Sequence, residues 1–191
     1  MTPITIQQTA EQARLAFEFH THAEIQSIRL RKARLLSDTP IEADIGPIAL
    51  TLHQKARHVP GADGLFRLDI DFRLEGRREA GDPNNESHKI GQPFVLVECT
   101  WEVDYRLAEG YQPTPRTVRA FKDGNAIFNC WPYFREFVQN AVTRMNLPPL
   151  TLPLLRLLPK PPAERPGGPR GRSREKKADS RTRANGGTAL G

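Results

Sequence analysis

Phe128–Leu158 reads FNCWPYFREFVQNAVTRMNLPPLTLPLLRLL. Phe134, Phe137, Val138, Ala141, Val142 and Met145 recur at helical spacing, which predicts an amphipathic helix with one apolar stripe. Pro132 suits the first turn of such a helix, where its missing N–H costs nothing. Asn146 can close the helix, and Pro148–Pro149 prevent its return. Leu150 to Leu158 then hold six leucines in nine residues, broken by Pro153. An apolar stripe of this length has to be buried against another layer, and the residues before it supply a sheet.

Four strands are predicted. Ala23–Leu36 places Ile28 and Leu30 on one side, with Arg29 and Arg31 on the other. Ile48–His58 alternates Ile48, Leu50, Leu52 and Ala56 with polar residues. The cleanest has Phe66, Leu68, Ile70, Phe72 and Leu74 against Arg67, Asp69, Asp71, Arg73 and Glu75. Val95, Val97, Cys99, Trp101, Val103, Tyr105 and Leu107 repeat the pattern against Glu98, Thr100, Glu102 and Asp104. Side chains on a strand alternate with period two, so each pattern describes a strand with one wet face. No helical pattern separates them, which favours an antiparallel sheet. A turn-rich polar loop, residues 76–93, joins the last two strands. After the sheet, Thr114 or Thr117 can cap a short helix reaching Ala126, with Val118 and Phe121 facing inward and Gly124 weakening its end. The fold class is therefore α+β: a four-stranded antiparallel sheet followed by two helices. Residues 1–22 read as an N-terminal arm or short helix, 23–158 as the folded domain, and 159–191 as a disordered basic tail.

The charge is uneven. The chain of 191 residues carries a net charge of +6, yet residues 1–158 hold 19 basic and 19 acidic side chains. The excess lies wholly in the tail, which has no aromatic residue for stacking on bases. Any binding of nucleic acid there is expected to be non-specific and salt-sensitive, and a solvated extension is the favoured reading. A nucleic-acid-associated protein acting through this tail is the alternative function. The N-terminus lacks a basic start followed by an apolar run, and no segment approaches the ~18 apolar residues of a membrane span. A cytoplasmic protein without membrane insertion is expected.

Chemistry-bearing motifs are sparse. His20-Thr21-His22 could present two imidazoles on one face of a strand, but no third ligand stands at a recognisable spacing. Cys99 falls on the apolar face of its strand, and Cys130 precedes the long helix. No catalytic serine, zinc-protease or phosphate-loop motif is present, so neither enzyme activity, a metal nor a cofactor is expected. Asp69, Asp71, Glu98, Glu102 and Asp104 form either an acidic partner-docking face or a solvated face paired with Arg67 and Arg73; the residue types favour the second. Val118, Phe121, Trp131, Tyr133, Phe134, Phe137 and Val138 read as core or oligomer interface. The apolar surplus of residues 127–158 also suits a protein-binding groove.

Pro132, Tyr133, Arg135 and Glu136, followed by Pro149, Leu150, Thr151 and Leu152, resemble the C-terminal signature of SecB-like chaperones. Glu24–Leu30, EIQSIRL, is similar to the family's first-strand motif. The resemblance spans roughly residues 23–158. It implies a homodimer or homotetramer that holds unfolded or nascent polypeptides without ATP. Its client is either a preprotein for export or a dedicated antitoxin. It implies a client-binding surface at Ile41, Ile45 and Ile48, with Leu150, Leu152, Leu154, Leu155 and Leu158. Export-type members are strongly acidic and dock the SecA motor. Here residues 1–158 are neutral, and Thr39–Pro47 is short and lacks aromatic residues, which speaks against SecA. Asn146–Leu152, NLPPLTL, looks closer to the toxin–antitoxin branch.

Overall fold

The computed structural model describes residues 4–38, 48–61, 64–78 and 93–160. Ile41 and Ile45 lie outside the described residues, as do the inter-strand loop after residue 78 and the tail after Lys160. In chain order the elements are β1 (Ile4–Gln8), α1 (Ala10–Thr21), β2 (Ala23–Ser37), β3 (Ile48–Val59), β4 (Phe66–Arg78) and β5 (Val95–Leu107). They are followed by α2 (Pro115–Phe121), a π-turn (Lys122–Ala126), α3 (Ile127–Arg144) and β6 (Leu155–Pro159). β2 to β5 form an antiparallel sheet in the order β2-β5-β4-β3, and β1 pairs in parallel with β6.

The four predicted strands are present, with Leu68, Ile70, Phe72 and Leu74 of β4 almost fully buried on the helix side. Burial of each such side chain contributes about 1.5–3 kcal/mol. β2 is more irregular than simple alternation predicts. Its register shifts between Ile25 and Ser27 and again between Leu30 and Lys32. Each bulge reverses the parity of the strand. As a result Ile25, Ile28, Leu30, Ala33 and Leu35 all pair with residues of the apolar β5 face, namely Tyr105, Val103, Trp101, Cys99 and Val97.

The helices carry the second layer. Thr9 caps α1 with a capping box: its hydroxyl accepts from the Gln12 N–H at 3.1 Å, and its own N–H donates to Gln12 Oε1 at 2.9 Å. Phe19, at the far end of α1, is fully buried and stacks on Phe121 with centroids 4.1 Å apart. Thr114, not Thr117, caps α2, with Pro115 at its first position.

Several elements differ from the sequence expectation. The short helix does not stop at Ala126: α2 passes through the π-turn directly into α3. Gly124 lies against the Gln8 side chain: a Cβ there would come within 2.1 Å of Gln8 Nε2, so a larger residue would displace the Gln8 amide. Pro132 is therefore inside α3, not in its first turn. It removes the bond to the Phe128 carbonyl, but both residues lie on the exposed side of the helix, where water can substitute. The N-terminal residues form a strand as well as a helix. The leucine segment forms β6, and the Lys160 N–H reaches back to the Gln8 carbonyl at 2.7 Å. His20 and His22 stand at the end of α1 rather than on a strand, and His22 stacks on Tyr111.

Candidate functional site

The C-terminus of α3 sets the geometry of the site. Asn146 adopts a positive φ of 56°. The Leu147 N–H bonds to the Val142 carbonyl at 3.0 Å, and the Asn146 N–H to the Thr143 carbonyl at 3.1 Å. These two bonds make a Schellman cap, which turns the chain sharply off the helix and brings Leu147 against Val142. Pro148 and Pro149 then keep the backbone extended. The next residues are fastened back onto α3. Arg135 Nε donates to the Leu152 carbonyl at 2.6 Å, and Trp131 Nε1 to the Pro153 carbonyl at 3.1 Å. A left-handed conformation at Asn146 favours glycine over residues with a branched Cβ. Asn146→Gly is expected to leave thermal stability unchanged or slightly raised, whereas Asn146→Val lowers it by about 1–3 kcal/mol in urea unfolding. Equal stabilities of the two variants would contradict the cap.

Between this turn and the end of the sheet lies an apolar groove of about 200 Å³, lined by Ile48, Leu50, Gly76, Val95, Val142 and the Leu147–Leu150 segment. Gly76 occupies the apolar parity of β4 after Leu74, opposite Leu50 and Val95. A Cβ at Gly76 would lie 3.3 Å from Val95 Cβ and 3.5 Å from Ile48 Cγ2, so its absence opens the floor. Two of the residues singled out from the sequence, Ile48 and Leu150, meet here. Gly76, Val95 and Val142 were missed; the break in the alternation of β4 at Gly76 was the available signal.

The other leucines divide. Leu152 and Leu155 are 3% and 5% exposed and act as anchors in the core, while Leu154 is 63% exposed and Leu158 is also open to solvent. Of the aromatic set, Phe121, Trp131, Phe134 and Val138 are buried, and Phe134 stacks on Phe72 at 4.3 Å. Val118 and Phe137 are half-buried, and Tyr133 is exposed beside Trp101. Ile25, Leu30 and Leu35 of β2 are also exposed on the helix side of the sheet.

The carboxylates on the opposite face are not a free acidic patch. Asp69, Glu102 and Asp104 keep only 5–7% of their side-chain surface, beneath arginines. Arg31 holds Asp69 at 2.9 Å, Arg67 holds Asp104 at 2.6 Å, Arg29 holds Glu102, Arg57 holds Asp71 at 2.9 Å, and Arg73 holds Glu98. The hydrogen bond from Arg67 depresses the pKa of Asp104, and those from Arg77 and Arg73 depress Glu75. A depressed folded-state pKa gives stability that is complete above the unfolded value, about 4, and is lost as pH falls through the folded value. The urea midpoint is therefore expected to be level from neutral pH to about pH 5 and to fall below about pH 4. Asp104→Asn lowers it at neutral pH and flattens the acid slope. Parallel curves for the two proteins would refute this account.

The thiols are not poised for chemistry. Cys99 and Cys130 are free and buried, and desolvation pushes both up to about 12, so each stays protonated at neutral pH. Among the described residues there is no group of three or more His, Cys, Asp or Glu placed to hold a metal. No helix among them is long and apolar enough to cross a membrane.

No family model matches the sequence. The SecB-like chaperone Rv1957 of Mycobacterium tuberculosis strain H37Rv is 39% identical over 164 residues, covering 81% of this chain and 90% of the relative. The SecB-like chaperone MT2006 of strain CDC 1551 gives the same figures. This chain belongs to the SecB-like chaperone family. The solved structure of Rv1957 in complex with a ChAD peptide from the Rv1956 HigA1 antitoxin superposes with a TM-score of 0.58, covering 76% of this chain and 99% of that one. Identity in that superposition is 22%, so it shows a shared fold, while the sequence match shows the family. The SecB-like architecture agrees with the sheet and long helix described above. The SecB-like chaperone family is non-enzymatic.

Proposed function

We propose that this chain is an ATP-independent holdase of the cytoplasm that binds an aggregation-prone polypeptide in the groove between Ile48, Leu50 and Leu147–Leu150. The observation that carries this reading is the groove itself: its walls are aliphatic, and Ile48 and Leu50 remain partly exposed at its rim. Apolar lining with few polar groups suits recognition of hydrophobic side chains with little sequence demand. Leu154 and Leu158 are exposed but stand outside the groove lining. A dedicated antitoxin is favoured over a preprotein as client. The relative at 39% identity has been solved with an antitoxin peptide, and arginines cover the carboxylates that an acidic docking face for SecA would need. Self-association into a dimer or tetramer is part of the proposal, because Ile25, Leu30, Leu35 and Tyr133 leave an apolar strip uncovered beside α3.

The test is light scattering of chemically unfolded clients diluted into buffer without ATP, together with titration of the HigA1 ChAD peptide. Suppression at near-stoichiometric amounts, or saturable peptide binding, is the expected result. A protein that binds none of them, while its circular dichroism shows it folded, would overturn the reading.

A further inference from the structure

The sheet face opposite α3 has a charge distribution that the balanced composition conceals. Four of its carboxylates are sunk and most of its arginines are raised, while Asp71 and Glu98 keep 35% and 27% of their side-chain surface. Side-chain exposure is 5–7% for Asp69, Glu75, Glu102 and Asp104, against 61%, 55%, 49% and 45% for Arg29, Arg31, Arg57 and Arg73. A guanidinium has five N–H donors, and although Arg31, Arg57 and Arg73 each reach two carboxylates, these contacts do not engage all five. The remaining donors stay available to an incoming group.

One part of this face carries cations beyond those paired. Lys32 and Arg34 lie two residues apart on β2, opposite Thr100 and Glu98, and so share a face about 7 Å apart. Lys55 stands across the sheet on β3, opposite Asp71. Among the described residues no carboxylate lies within ion-pair distance of Lys32 or Lys55, and Arg34 reaches Glu98 only at 3.8 Å. Asp71 is already taken by Arg57 and by the Thr100 hydroxyl. These cations border a hollow of about 480 Å³ over β4 and β5. Three strand spacings, about 14 Å, separate its two banks, a width that admits an extended chain with its side chains.

We propose that this hollow docks an extended acidic segment of a partner protein, with carboxylates reaching Lys32 and Arg34 on one bank and Lys55 on the other. Charge complementarity carries the assignment: Lys32, Arg34, Lys55 and Arg73 line the hollow against two carboxylates, Asp71 and Glu98, that are already engaged by Arg57 and Arg73. Nucleic acid is disfavoured: among the described residues this face has no Phe, Tyr or Trp on which a base could stack. The site is on the other side of the sheet from the apolar groove, so the two surfaces can be occupied together.

The test uses the full chain, tail included, so that the tail's contribution is common to every variant. A fluorescent Glu-rich decapeptide bearing a photo-crosslinker is titrated against the wild type, Lys32→Glu/Lys55→Glu and Lys32→Gln/Lys55→Gln. A single-stranded RNA of equal charge serves as the rival ligand. The expected result is a loss of about tenfold or more for the double Glu variant and a smaller loss for the Gln variant, with crosslinks in β2 and β3 and with binding that weakens as salt rises. Three results would overturn the proposal: unchanged peptide affinity in the Glu variant, crosslinks confined to residues 161–191, or loss of RNA binding without loss of peptide binding. Both Lys side chains are exposed and have no ion-pair partner among the described residues, and circular dichroism checks that the variants fold.

Discussion

Leu150→Asp is expected to lower the affinity of the folded protein for an apolar client peptide by about tenfold or more, read as Kd in a fluorescence-anisotropy titration. Leu150 is half-buried and forms one wall of the groove, facing Ile48 and Leu50. Covering a leucine side chain is worth about 1.5–3 kcal/mol, which corresponds to roughly ten- to a hundredfold in affinity. Aspartate removes that contact and also brings a charge toward aliphatic walls, where it has no partner. The fold is expected to survive, since Leu150 belongs to no helix or strand and the segment is held at Leu152 and Pro153 by Arg135 and Trp131. Leu154→Asp is the comparison. Leu154 is 63% exposed and does not line the groove, so its replacement should leave the Kd within about twofold. If both variants weaken binding equally, the client lies along the exposed leucine segment, not in the groove. If neither does, the groove is not the client site.

How much of this was legible in the sequence depended on the range of the interaction. β4 and β5 were plain, because alternation is a local signal and both strands are covered on one face. Asn146 as the end of α3 was also local, since the cap depends on a few consecutive residues. β1 and β6 were not legible. Each is five residues long, and their parallel pairing joins the two ends of the folded domain across most of its sequence. No turn chemistry announces such a contact. The contact between Gly124 and Gln8 was not legible for the same reason: helix propensity describes a glycine by its own backbone, not by the distant side chain that packs on it. β2 was read too simply, because two bulges change which residues share a face. The groove was half legible. Ile48 and Leu150 were named through a resemblance, but Gly76 and Val142 become neighbours only once the sheet and α3 are packed. The sign of the polar face was the hardest to read. Sequence counts charges equally, while the structure buries Asp69, Glu75, Glu102 and Asp104 and leaves Arg29, Arg31, Arg57 and Arg73 about half exposed.

Trp131→Ala is expected to cost about 3–5 kcal/mol, the largest loss of stability of any single change considered. Trp131 is 3% exposed and packs within 6.1 Å of the Phe72 ring and 5.6 Å of Phe134. Its indole N–H also holds the Pro153 carbonyl at 3.1 Å, just before β6. The substitution therefore leaves a cavity beneath the sheet and frees the segment that carries the groove wall. Domains of this kind are stable by about 5–15 kcal/mol in total, so a substantial unfolded fraction is expected at modest urea concentrations. Trp131→Phe separates the two roles. It keeps an aromatic ring against Phe72 and Phe134 but leaves the Pro153 carbonyl without its donor, at a cost of about 1–3 kcal/mol. Arg135→Met removes the neighbouring clamp on Leu152 at a similar cost. The measurements are urea unfolding for the global loss and native-state hydrogen exchange for β1 and β6, whose pairing depends on the clamped segment. Faster exchange in these two strands, with the central sheet still protected, is the signature of clamp loss. A loss below about 1 kcal/mol in Trp131→Ala would show that the indole is not a core anchor. Slower client release from Arg135→Met, rather than faster, would show that the clamp restrains the groove instead of supporting it.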